Sequence, residues 1–143
     1  MNYQLFKTGV INRVTTGEST GKVIDYEPEE LARNMTLSSK VAYCDYKDYR
    51  INIMDTPGFV NFLEDTKSVL RVVDGAVVIV SAISGVKAET ERIWKYCDDY
   101  DLPRVVFVNK LDKENASFQR AVAEIEKVFG QEAIPLTLPI GDG

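Results

Sequence analysis

Two essentially uninterrupted apolar runs, GAVVIVSA (residues 75–82) and RVVFVN (104–109), constrain this chain more than anything else in it. A strand with one wet face alternates apolar and polar residues. A strand that is apolar at successive positions reads as hidden on both faces, the habit of parallel strands covered by helices. Helical spacing recurs around them: Phe59, Phe62, Leu63, Thr66, Val69, Leu70 and Val73, then Ile93, Trp94 and Cys97, then Phe118, Ala121, Val122, Ile125, Val128 and Phe129. Pro103 is expected to end the second of these helices and Gly130 the third. Strand–helix alternation of this kind predicts an α/β fold, a mainly parallel sheet with helices on both faces.

Ahead of the apolar runs lies a different pattern. SKVAYCDY (39–46) and YRINIM (49–54) both alternate, with a turn at Lys47-Asp48, and predict a hairpin. A short helix is expected from Pro28, because proline suits the first helical position and Glu29 and Glu30 suit its positive end. YQLFKTG, near the beginning, reads as a helix tail stopped by Gly9. The sequence shows no internal repeat and no low-complexity linker.

Composition narrows the function. The 143 residues match the length of one domain, with 45% hydrophobic and 27% charged residues, as in a soluble globular protein. A net charge of −5 argues against non-specific nucleic-acid binding. No apolar run has transmembrane length and no secretory leader is evident, so no membrane partner is expected. Cys44 and Cys97 read as reduced, buried thiols of a cytoplasmic protein, where the sequons at Asn34 and Asn115 carry no meaning. With no histidine at all, the commonest metal ligand and general base are both missing. The acids Asp98, Asp99 and Asp101 read as a solvated helix end, and Trp94 as a core anchor.

One stretch, TTGESTGKV (15–23), imitates a phosphate-binding loop with Gly17, Gly21 and Lys22 but fails on spacing, hydroxyl and context. The motif G-x-x-x-x-G-K-[ST] needs four residues between its glycines, and only Glu18, Ser19 and Thr20 lie between Gly17 and Gly21. Val23 lacks the hydroxyl that would hold magnesium, and no buried strand precedes the loop. It reads as a polar loop.

Two other stretches carry chemistry. In MDTPGF (54–59), Asp55 stands at the carboxyl end of a strand, where open α/β sheets place their ligands. Its carboxylate can hold magnesium, and the N–H of Gly58 can approach a phosphate oxygen; a plain turn is the alternative. In VNKLD (108–112), Asp112 can accept two hydrogen bonds from the N1–H and 2-amino group of guanine, a pair adenine cannot supply. Asn109 can bond the base or hold the loop, and the stem of Lys110 can cover the base face. The alternative is a helix-start loop with Asp112 as its cap. Upstream, Thr36 in RNMTLSS (33–39) can offer magnesium a second oxygen.

The series RNMT, DTPGF, NKLD resembles the GTPase domain of the translational GTPases, and within them that of elongation factor G and its paralogues. KTGVINRV, DYEPEELAR, LRVVDGAVVIVSAISGV, LPRVVFVNKLDKENA and PLTLPIG look like the same family, so the resemblance covers essentially the whole chain. It implies a P-loop NTPase-like G domain with switch I at about 14–40, switch II at about 55–66, the guanine loop at 109–112, and the start of the family's inserted subdomain at 131–143. It implies that Thr36 and Asp55 face magnesium, that Gly58 senses the γ-phosphate, and that Asn109, Lys110 and Asp112 recognise guanine. GTP or GDP, magnesium and the ribosome are the ligands and partner implied for the whole protein.

The departures are as informative. No P-loop occurs in these residues, and the resemblance begins after the family's P-loop helix, which implies a domain truncated before and after, without its first strand. Such a segment is expected to bind nucleotide weakly, to hold neither GTP nor magnesium by itself, and to hydrolyse nothing. Phe59 stands where the family carries its catalytic histidine, and phenylalanine neither donates nor accepts a hydrogen bond. Asn34 replaces a glycine common in switch I. A degenerate, non-hydrolysing binding module is therefore an alternative, as is a ribosomal protection-type GTPase. A missing central strand would leave a sheet edge able to pair with another segment or a second copy.

Overall fold

Proline followed by acids opens the first element. In the computed structural model, which describes residues 27–33, 35–130 and 133–140, helix α1 spans Pro28–Arg33 with Glu29 and Glu30 in its first turn. The helix tail at YQLFKTG, the loop TTGESTGKV and most of 14–40 lie outside the described residues, as do 131–132 and 141–143. The chain divides into two units, Met1–Val69 and Leu70–Gly143.

In the first unit the two alternating stretches form the expected hairpin. Strand β1 (Lys40–Tyr46) pairs antiparallel with β2 (Tyr49–Asp55), from Tyr46 opposite Tyr49 at the turn to Lys40 opposite Asp55 at the far end. Lys47 in the turn takes the left-handed conformation, φ 53°. Alternation then sorts the side chains of β1: Lys40 and Cys44 are buried, whereas Val41, Tyr43 and Asp45 are exposed. On the exposed face Arg50 lies over the Tyr43 ring, 4.6 Å from its centroid, and its Nε donates to Asp45 at 2.9 Å. After β2 come a 3₁₀ turn (Val60–Phe62) and helix α2 (Leu63–Val69), which buries Leu63, Thr66 and Val69.

The second unit holds the parallel pair. Strand β3 (Ala76–Ser81) lies beside β4 (Arg104–Asn109), in register from Ala76 with Arg104 to Ser81 with Asn109. Parallel neighbours need a long crossover, and helix α3 (Ala88–Asp99) supplies it. Helix α4 (Phe118–Phe129) follows β4, with Ser117 as its N-cap accepting from Arg120 N–H at 3.2 Å. It ends at Gly130, whose φ of 64° is the left-handed cap expected of glycine. The core is small and well defined: Leu70, Cys97 and Leu102 are buried, with Val73, Ala76, Ile93, Tyr96 and Tyr100 packed against them. Each buried leucine of this kind stabilises the fold by about 1.5–3 kcal/mol.

Several local expectations change. The helical period through Val73 breaks at Val69, because Leu70 and Val73 turn into the core around Cys97 instead of continuing the helix. Helix α3 stops at Asp99, short of Pro103; Asp101 goes left-handed at φ 50°, and Leu102 N–H closes the turn on Cys97 O at 2.8 Å. Asp98 is not merely solvated, since its carboxylate pairs with Arg104. Trp94 is only half-buried: it stacks on Phe129 with ring centroids 3.8 Å apart, and Arg104 lies 4.1 Å from its centroid. The apolar runs alternate in burial as well. Val78 and Val80 are buried, whereas Val77, Ile79, Val105 and Phe107 are 50% to 64% exposed. Among the described residues β3 pairs with β4 alone, and the second face of this pair is left open.

Candidate functional site

Strand ends position the candidate residues in both units. In the first, Asp55 closes β2, directly opposite Lys40 at the start of β1. Residues opposite each other in a ladder share a face with their Cβ atoms about 4.5–5.5 Å apart. Thr36 sits, half-buried, among the described residues 35–39 between α1 and β1. The register thus brings the threonine loop to the end of the hairpin that carries Asp55.

Beyond Asp55 the chain turns through Thr56, buried Pro57 and exposed Gly58. Thr66 in α2 donates to Pro57 O at 3.2 Å, which fixes the turn against the helix behind it. A Cβ built on Gly58 would meet nothing within 4 Å, and its φ is outside the left-handed region, so packing does not demand glycine here. Phe59 precedes the 3₁₀ turn with extended backbone (φ −88°, ψ 143°) and a ring 52% exposed.

Sequence reading missed the group that organises the threonine loop. The Glu30 carboxylate, on a residue 1% exposed, accepts from Leu37 N–H at 2.9 Å and Ser38 N–H at 3.4 Å through Oε1. Its Oε2 accepts from Glu27 N–H at 3.4 Å and from the ammonium of Lys40, itself 5% exposed. Burial alone would raise the Glu30 pKa; Lys40 and the amides of Leu37, Ser38 and Glu27 outweigh it and hold the group at about 2, against an ordinary 4.5. The signal was present in E-P-E-E. Glu30 is the third helical residue after Glu27, where a carboxylate reaches back to the amide before the helix.

In the second unit β4 ends at Asn109, and a turn follows. Asn109 Oδ1 accepts from Lys110 N–H at 2.8 Å, Lys110 is left-handed at φ 64°, and Lys113 N–H returns to Lys110 O at 3.3 Å. A left-handed lysine is strained backbone, of the sort that gathers at ligand sites. Asp112 is exposed, with Lys113 Nζ 3.4 Å away. It is not a helix cap, because Ser117 takes that place. Arg120 ties the loop down, donating to Asn115 O at 2.7 Å and to Ala82 O and Ile83 O at 3.2 and 3.3 Å.

The donors fit magnesium only in part. Among the described residues no three His, Cys, Asp or Glu side chains gather. A hydroxyl and one carboxylate still suit this cation, which keeps waters and takes its remaining oxygens from phosphates. Among the described residues no helix is long and apolar enough to cross a membrane.

Comparisons with known proteins show a match across nearly the whole chain. The profile of the family described as the elongation factor Tu GTP binding domain matches residues 3–138. The chain is 38% identical over 138 residues to elongation factor G 2 of Borreliella afzelii, covering 96% of this chain and 21% of that protein. It is 40% identical over 137 residues to elongation factor G of Granulibacter bethesdensis, with 96% and 20% covered. A crystal structure of a Thermus thermophilus protein superposes with a TM-score of 0.83 at 32% identity, over 90% of this chain and 19% of that one. The chain thus spans about a fifth of the length of these relatives, and its α/β fold is that of a G domain. By the match across nearly its whole length, the chain belongs to the elongation factor Tu GTP-binding-domain family, in its elongation factor G-like form.

Proposed function

We propose that these residues are part of the guanine-nucleotide domain of an elongation factor G-like GTPase. The observation that carries the reading is the NKLD loop at the end of β4: exposed Asp112, relieved of any capping role, beside a left-handed Lys110 whose amide is held by Asn109. Asp112 accepts N1–H and the 2-amino group of guanine, the Lys110 stem covers the base, and Asn109 holds the turn that presents both. Thr36 and Asp55 offer oxygens to magnesium, and Gly58 its N–H to the γ-phosphate. Magnesium would neutralise the charge of the β- and γ-phosphates. In the whole protein, GTP would order the segments around Thr36 and Gly58, and hydrolysis would release them, a switch read by the ribosome during protein biosynthesis in the cytoplasm.

The 143 residues contain no G-x-x-x-x-G-K-[ST], so by themselves they hold nucleotide weakly and do not hydrolyse it. Titration with a fluorescent guanine nucleotide is expected to show no saturation at micromolar concentration; tight saturable binding defeats that expectation. In the whole protein, Asp112→Asn is expected to lower guanine affinity about ten-fold or more and to favour xanthine, whose C2 carbonyl accepts where guanine donates. Unchanged base preference would remove Asp112 from the site.

One observation favours a second reading. Phe59 presents a half-exposed aromatic ring at the position where the family carries its catalytic histidine. On that reading the domain binds nucleotide without hydrolysing it, and GTP bound to the whole protein would persist without turnover.

A further inference from the structure

We propose that Glu30 and Lys40 are positioning residues for Thr36 and Asp55, an inference that rests on the reading of those two as the magnesium-facing pair. Three observations carry it. The loop around Thr36 is tied on both sides by one residue: Met35 N–H donates to the Glu30 carbonyl at 3.1 Å, and Leu37 and Ser38 N–H donate to the Glu30 carboxylate at 2.9 and 3.4 Å. The backbone that flanks Thr36 is therefore set by Glu30. The same carboxylate takes the Lys40 ammonium, and Lys40 is the Cα partner of Asp55. A single buried pair thus connects the threonine loop to the strand end of the aspartate.

The third observation is chemical. Both partners are almost wholly enclosed, at 1% and 5% exposure. A buried ion pair is a poor way to stabilise a fold, since an apolar pair of similar volume often does as well or better. An apolar pair cannot accept the amides of Leu37 and Ser38, however. Only a carboxylate does that with oxygens to spare for Glu27 N–H, and only a cation beside it offsets the enclosed charge. The pair is suited to fixing one loop geometry. Ser38 Oγ, which donates to the Glu27 carboxylate at 3.3 Å, adds a further tie between the same two segments.

The test uses the whole protein carrying Glu30→Ala, Glu30→Gln or Thr36→Ala. Two quantities are read: amide hydrogen exchange at Leu37 and Ser38, with Val78 and Val80 as the internal reference, and the gain in affinity for a fluorescent GTP analogue on adding magnesium. Glu30→Ala is expected to speed exchange at Leu37 and Ser38 about ten-fold or more, with the β3 amides unchanged. It is also expected to lose the magnesium-dependent gain as Thr36→Ala does, while magnesium-free affinity holds. Glu30→Gln, which keeps the volume and an acceptor, falls between and decides the matter should the alanine variant fail to fold. Unchanged exchange, or a magnesium gain kept by Glu30→Ala and lost by Thr36→Ala, overturns the positioning role. A gain kept by Thr36→Ala instead removes Thr36 from magnesium, and exchange at Leu37 and Ser38 then decides for or against Glu30 as the residue that sets the loop.

Discussion

The loop around Thr36 and the loop around Asp112 are held by different means. Around Thr36 the order comes from charge: a buried carboxylate, a buried ammonium and three amides aimed at the carboxylate. Around Asp112 it comes from the turn's own backbone bonds and from Arg120, which donates to the Asn115, Ala82 and Ile83 carbonyls. A strand ends, a lysine goes left-handed, and α4 starts at a serine cap, all within the unit whose core holds Leu70, Cys97 and Leu102. The lesson is that a loop can be fixed largely through backbone carbonyls and amides when a strand and a capped twelve-residue helix flank it. A loop between a six-residue helix and a hairpin has too little local structure for that and recruits buried charge.

The strongest way to break this comparison is in the core of the second unit. Leu70→Ala is expected to cost about 2–5 kcal/mol, the range for a large-to-small change at a buried leucine. Denaturant unfolding followed by Trp94 fluorescence reads it, because that indole stacks on Phe129 within the same unit. A cost well under about 1 kcal/mol would show that this core is not what holds the second unit together.

Acid is expected to have a smaller and local effect, confined to the charge-held loop. Glu30 has a pKa lowered from 4.5 to about 2 in the folded chain, where burial is outweighed by the Lys40 ammonium and the amides of Leu37, Ser38 and Glu27. The sign follows from linkage: a depressed carboxyl stabilises fully above its unfolded value, and that contribution drains away as pH falls from about 4.5 towards 2. Amide exchange at Leu37 and Ser38, corrected for the intrinsic pH dependence, should therefore lose protection across that window while Val78 and Val80 keep theirs. Equal loss at all four would erase the contrast between the two loops. The smallest effect is expected at Ser117→Ala, which removes the N-cap of α4 and costs about 1 kcal/mol in the same denaturant experiment. An unchanged midpoint would mean that the exit of the loop around Asp112 does not depend on the cap.

How much of this was legible in the sequence follows the same division. Asn109, Lys110 and Asp112 lie together in the chain, so the motif, the strand before it and the helix after it could all be read from local pattern. The hairpin and its turn at Lys47-Asp48 were equally readable, and so were Pro28 and Gly130 as helix boundaries. Glu30 and Lys40 were not read as partners, because a pair ten positions apart, joined across a loop, leaves no periodic trace. Helix α2 also ended earlier than its spacing suggested, since Leu70 and Val73 answer to the core around Cys97 and not to helical period. The apolar runs announced strands correctly but overstated their cover, as the half-exposed Val77, Ile79, Val105 and Phe107 show.

Cys44 and Cys97 give this chain a property beyond packing. Both thiols are buried, one in each unit, and burial pushes the Cys97 thiol up against the lowering pull of Arg104. A thiol-specific reagent therefore waits for the protein to open, and each sulfur acts as a stopwatch for its own half of the chain.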